Sequence, residues 1–192
     1  MCFWRRLLGL ALLSAASCTQ AHAGQFVVFP KAGELASPDG QCVVRNAERQ
    51  ASATDLDGTF HSLWLTELAT GRSRKLFDYV GVAAVGWSAN DSLVITEYVG
   101  KRTSRALVVS ARGAGDSLMV DKATLTRLVP VDLRSSLRGN DHVFVEAWQV
   151  DGDTVHLRVW GYGEHDPKGF HWNCEYGLVE GTIACIDQPE SR

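Results

Sequence analysis

From Val82 to Ser110 the chain reads VAAVGWSANDSLVITEYVGKRTSRALVVS, three short apolar runs separated by polar, turn-forming residues. Val82 to Trp87, Ser92 to Val99 and Arg105 to Ser110 are rich in β-branched residues and are predicted as strands. Ser88 to Asp91 and Gly100 to Arg102 supply the turns. The middle strand is apolar on both faces, with Leu93 and Ile95 pointing one way and Val94 and Tyr98 the other, so this β-meander requires cover on each side. Upstream, Gln25 to Pro30, Gln41 to Asn46, His61 to Leu68 and Arg72 to Tyr79 are predicted strands. Turns fall at Ser37-Pro38-Asp39-Gly40 and Ala69-Thr70-Gly71, and a surface loop is expected over residues 47 to 60. Downstream, a third unit runs from Trp148 through Asp151-Gly152-Asp153 into strands over Thr154 to Tyr162, Phe170 to Gly177 and Gly181 to Ile186. Asp121 to Asp141 repeats nothing and is expected as a solvated connection. Within it Val129-Pro130-Val131 is extended, Leu133 to Leu137 forms a single helical turn, and Arg127, Arg134 and Arg138 are candidates for a binding edge. Residues 188–192 are expected to fray.

The run Ser37-Pro38-Asp39-Gly40, followed by a strand and then by Leu63-Trp64-Leu65-Thr66-Glu67-Leu68-Ala69-Thr70-Gly71 and a further strand, resembles one repeat of the TolB-type β-propeller family. The central meander is similar, with Trp87-Ser88-Ala89-Asn90-Asp91 at the turn, and the third unit is a weaker copy. The expected fold is therefore all-β, with antiparallel β-meanders forming about three propeller-like blades in an open or incomplete array. Closed propellers use four to eight blades. The turn-to-turn spacing is also about 50 and then about 60 residues, longer than the ~40–45 of common propeller repeats. The resemblance implies a protein-interaction module of the periplasm.

Composition is that of an ordinary globular domain, 45% hydrophobic and 21% charged. Met1 to Gly24 differs from the rest. Arg5 and Arg6 precede an apolar run from Leu7 to Ser17, and Ala21-His22-Ala23 offers a small-x-small cleavage site. Residues 1–23 are thus expected as a signal peptide and 24–192 as one domain, periplasmic or secreted. Ala15-Ala16-Ser17-Cys18 offers an alternative, lipidation at Cys18 and a lipid anchor in the envelope, the expected route to a membrane. Loss of Arg5 and Arg6 with the leader would move the net charge from −3 to −5. An acidic chain of this kind lacks the basic stripe that phosphate backbones select, so nucleic-acid binding is not expected.

Cys42, Cys174 and Cys185 lie beyond the leader, and export makes disulfide pairing the natural question. Cys174 and Cys185 flank a turn at Leu178-Val179-Glu180-Gly181. A two- or four-residue loop places positions summing to 359 opposite one another, whereas a three-residue loop with a bulge at Gly181 places the two sulfurs on opposite faces. A bridge to Cys42 and free thiols are the alternatives.

No motif names a reaction. Gly161 to His171, GYGEHDPKGFH, holds Glu164, His165 and His171, whose ligand types suit zinc-like metals, but no recurring metal spacing accompanies them. An ordinary polar hairpin loop accounts for the same residues. Ser88 lacks the second glycine and the strand-to-helix elbow of a hydrolase nucleophile. Trp64, Trp87 and Trp148 sit where core packing is expected. Along Val155 to Tyr162 the chain alternates, with Val155, Leu157 and Val159 on one face and His156, Arg158, Trp160 and Tyr162 on the other, a composition that interfaces favour. The sequence thus points to a protein- or ligand-binding module of the bacterial envelope with an envelope protein as candidate partner and no cofactor. A small metal-assisted hydrolase and a secreted inhibitor or immunity-type protein are the alternatives.

Overall fold

The computed structural model describes residues 25–49, 60–89, 91–111 and 117–187; the leader, Cys18, most of the 47–60 loop and the C-terminal residues 188–192 lie outside them. Thirteen strands occur among the described residues: β1 (Phe26–Phe29), β2 (Glu34–Ala36), β3 (Cys42–Arg49), β4 (Phe60–Glu67), β5 (Ser73–Tyr79), β6 (Ala83–Trp87), β7 (Ser92–Val99), β8 (Thr103–Ser110), β9 (Ser117–Val120), β10 (His142–Asp151), β11 (Thr154–Tyr162), β12 (Phe170–Gly177) and β13 (Ile183–Asp187). Each successive set of four pairs antiparallel in chain order: β2 to β5, β6 to β9, and β10 to β13. The fold is mostly β with antiparallel sheets, and no sheet closes on itself among the described residues. β1 adds to the free edge of β6, and a short parallel contact of β10 with β8 joins the second and third units into one nine-stranded sheet.

The two-faced character of the central meander decides the packing. Leu93 and Ile95 enter one apolar cluster with Leu35, Val44, Leu63 and Trp87, built with the β2–β5 sheet. Val94, on the opposite face of the same strand, enters a second cluster with Val145, Leu157, Val159 and Trp172 of the third unit. Both cores are closed to solvent at their centres, with Trp87, Leu93, Val94, Ile95 and Val145 all at 0% exposure. Burial of that order, ~1.5–3 kcal/mol for each large side chain, is what the alternating pattern supplies.

Between β9 and β10 the chain is more helical than the sequence reading allowed. Helix α1 (Lys122–Leu128) precedes a 3-10 turn (Val131–Leu133) and helix α2 (Arg134–Gly139). Asp121 caps α1 by accepting the Thr124 N–H at 2.8 Å. Leu125, Val129 and Leu137 anchor the segment in the second core. Two tryptophans assigned to the core are at the surface instead: Trp64 lies outward between Leu63 and Leu65, and Trp148 is 45% exposed at a β-bulge in β10. Trp87 is where it was expected.

The β10 strand meets the central meander through side chains. In its ladder with β11, alternate residues of β10 turn both backbone groups away from the partner strand. Val143 O accepts the Thr103 hydroxyl at 2.9 Å. Ser104 Oγ donates to Val145 O and accepts from Val145 N–H, each at 2.9 Å, and Thr96 Oγ1 accepts from Ala147 N–H at 2.8 Å and donates to Ala147 O at 3.5 Å.

Cys174 and Cys185 are directly opposed on β12 and β13 and form a disulfide, and the Gly177 N–H to Thr182 O bond closes the four-residue turn that the 359 rule requires. Cys42 is a buried thiol of the first core.

Candidate functional site

The outer face of β10, β11 and β12 gathers the side chains that the alternation of β11 set apart. Register places Tyr162 opposite His142, Trp160 between Phe144 and His171, Arg158 between Glu146 and Asn173, and His156 between Gln149 and Glu175. The rings respond by stacking. His142 lies on Tyr162 with centroids 4.4 Å apart and planes 8° from parallel, Phe144 on Trp160 at 4.0 Å and 15°, and His171 continues the row at 6.0 Å and 10°. Trp148, displaced by the bulge, tilts over His156 at 5.4 Å. Paired rings of this kind add favourable cross-strand contact and restrict one another's rotamers.

Charge is distributed between the rings. His156 Nε2 lies 3.1 Å from Asp151 and its Nδ1 3.7 Å from Glu175. Tyr98, from the end of β7, lies beside Glu146 and Arg158. Burial raises the Tyr98 hydroxyl above its ordinary value, the Glu146 carboxylate raises it further, and Arg158 acts in the opposite sense. Tyr162, Trp148 and Ile186 remain exposed across this face. The arrangement offers flat aromatic area, a guanidinium and three carboxylates, Asp151, Glu146 and Glu175, which suit recognition of another surface.

His156, Arg158, Trp160 and Tyr162 therefore share one face as their spacing predicts. Sequence reasoning missed Tyr98, His142, Phe144, Glu146 and Trp148. The signal for four of them was available: His142, Phe144, Glu146 and Trp148 alternate with Val143, Val145 and Ala147. Reading β10 only from Trp148 onward hid it.

The metal set fares differently, since Glu164, His165 and His171 are not brought to one point, and no group of three His, Cys, Asp or Glu side chains among the described residues could hold a metal ion. His171 belongs to the aromatic face. His165 serves the loop, where a buried Asn140 accepts the Asp166 N–H at 3.0 Å and donates to Asp166 Oδ2 at 2.7 Å, while His165 Nδ1 lies 3.1 Å from the same carboxylate. The packing leaves no room for a side chain at Gly139, where a Cβ would stand 2.5 Å from that of His165. The loop is thus fastened to α2.

Desolvation pushes the Asp166 carboxyl upward, but hydrogen bonds from Asn140, His165 and Ser136 outweigh it and hold the group below its ordinary value of 3.8. A depressed carboxyl adds stability that is present above its unfolded pKa and is lost as pH falls through the folded one. Amide exchange at His165 and Asp166 is therefore expected to quicken by about tenfold as the pH drops below that range, the equivalent of ~1.4 kcal/mol for a charged hydrogen bond. Asp166→Asn should exchange fast already at neutral pH. An exchange rate independent of acid, once corrected for intrinsic chemistry, would contradict the anchoring role.

Compared with known proteins, the chain matches no family model, no curated protein and no solved structure.

Proposed function

We propose that this chain is an exported binding module of the bacterial cell envelope, in which three blade-like meanders form an open, propeller-like array and the outer face of the third docks a protein partner. The observation that carries the reading is the stacked aromatic row Phe144–Trp160–His171 with His142–Tyr162 beside it, seated on a buried Phe144 and opening to solvent at His171 and Tyr162. Aromatic anchors flanked by arginine are the residues that dominate interface energetics, and rings already locked in place lose little entropy on binding. Export is supported by the Cys174–Cys185 bridge, since disulfides persist in oxidising compartments. No helix among the described residues is long and apolar enough to cross a membrane.

The test is site-specific photo-crosslinking in the native envelope. A photoreactive residue at Tyr162 or His171 should give one discrete adduct. The same probe at Trp64, an exposed tryptophan of the first sheet, should give none. Trp160→Ala should weaken the adduct's partner by about thirtyfold, the scale of an interface hot spot of ~2 kcal/mol. Adducts at Trp64 equal to those at Tyr162, or an affinity unmoved by Trp160→Ala, would defeat the proposal.

A further inference from the structure

Where the end of the β7–β8 hairpin meets α1 and α2, the surface opens into a cleft of about 790 Å³. Arg105, Lys122, Arg127, Arg134 and Arg138 all line it, and Asp121 is the one carboxylate among its described lining residues. This is a concentration of positive charge on a chain whose formal charge is −3. Lys101 and Arg102 are exposed in the turn between Val99 and Thr103, both of which line the cleft.

The cations are held in place largely by groups that leave donors over. Arg134 is clamped by its Nε to Val129 O at 3.1 Å and by Nη2 to Arg127 O at 3.3 Å, and Lys122 Nζ donates to Asn140 O at 2.6 Å. These acceptors are neutral carbonyls, which orient a charge without cancelling it. Arg105 is paired with Glu97 at 2.7 Å, and Asp121 is engaged as the α1 cap. Among the described residues the Arg127 side chain meets only the Thr124 hydroxyl, at 3.2 Å, and Arg138 has no hydrogen-bond or ion-pair partner. The Thr126 hydroxyl is spent on Lys122 O at 2.7 Å. The cleft is rich in charged donors and poor in acceptors, and like charges collected in a concavity repel one another until an anion enters.

We propose that this cleft binds a ligand carrying two or more phosphate-type oxyanions, with Arg127, Arg134 and Arg138 as its principal donors. Guanidinium forks match the oxygen pairs of phosphate, and the volume lies within the usual range of small-molecule sites, ~300–1,000 Å³. The acidic remainder of the surface disfavours a long polyanion and favours a compact one. Phosphate groups of this kind come either on a soluble small molecule or on a lipid headgroup. The exposed Leu128 and Val131, next in the chain to this basic cluster, give the second source a physical route.

The full-length chain is titrated calorimetrically with inorganic pyrophosphate. In parallel it is co-sedimented with vesicles of cardiolipin, whose headgroup carries two phosphodiesters, mixed into phosphatidylcholine, against phosphatidylcholine alone. Arg127→Gln/Arg138→Gln removes two charges that hold no element together, so its thermal midpoint should match the parent. Arg45→Gln/Lys75→Gln removes two equally exposed charges from the first sheet. Pyrophosphate binding weakened at least about tenfold by the first pair and unchanged by the second supports a soluble phosphate ligand. Sedimentation with the anionic vesicles alone, abolished by the first pair only, supports a headgroup. Absence of binding in both assays, or equal losses in both variants, overturns the proposal.

Discussion

Ser104→Ala is expected to destabilise the protein by about 2–5 kcal/mol, more than any single surface contact should. Ser104 is fully buried and its hydroxyl is the partner of both backbone groups of Val145, at 2.9 Å each. The ladder of β10 with β11 cannot take these groups back, because they point to the opposite edge of the strand. Alanine therefore orphans one buried N–H and one buried C=O, each worth ~1–3 kcal/mol. Thr96→Val keeps the side-chain shape and removes the partner of Ala147 N–H, so it isolates the same effect at about 1–3 kcal/mol. The two sites act on one strand and should couple, the double variant differing from the sum by about 0.5 kcal/mol or more. Against a typical total of ~5–15 kcal/mol, the pair would bring the chain close to unfolding at ordinary temperature. Urea titration of the three variants measures this directly. A loss below about 0.5 kcal/mol for Ser104→Ala would mean that water replaces the hydroxyl and that the seam does not join the units.

That seam also marks the limit of what the linear pattern could disclose. Apolar alternation told correctly that β7 needed cover on both faces, and Leu93 and Ile95 indeed lie in one core and Val94 in the other. Thr96 and Ser104 sit in the same alternation, yet their residue types fit a turn or a solvated face as well as a buried junction. The β11 face was legible for the same reason that β7 was, a strict period of two over nine residues. Trp148 was misplaced because β10 was read only from that residue onward, which left out the alternation that turns it outward with His142, Phe144 and Glu146. Trp64 was misplaced against its own pattern, since Leu63 and Leu65 claim the inner face. Helix α1 is only seven residues long, and its stability comes from the Asp121 cap and the burial of Leu125, neither of which a periodicity search over so short a span resolves. The cationic cleft was half visible. Arg127, Arg134 and Arg138 stand near one another in sequence, whereas Arg105 is brought in from β8 by the tertiary fold.

Reduction of the Cys174–Cys185 bond is expected to cost about 3 kcal/mol, the loop-closure entropy of a cross-link spanning 11 residues. The location makes the loss matter. β13 is an edge strand that pairs with β12 alone among the described residues; Ile183 and Cys185 pack partly against the second core, while Ile186 is 74% exposed. Cys174 is itself buried in the second core between Trp172 and Tyr176, which ties the bridge to the packing under the aromatic face. With a urea slope of roughly 2 kcal/mol per molar, reductant should lower the midpoint by about 1.5 M. Cys174→Ala/Cys185→Ala should reproduce the shift and be insensitive to reductant. The physical alternative is that β13 frays locally, with a free energy below that of global unfolding. In that case the midpoint would stay fixed, and only the amides from residue 183 to the end of the strand would gain exchange. The two outcomes separate a bridge that secures the whole third unit from one that fastens its edge. Only the first would also loosen Glu175, and with it the carboxylate beside His156.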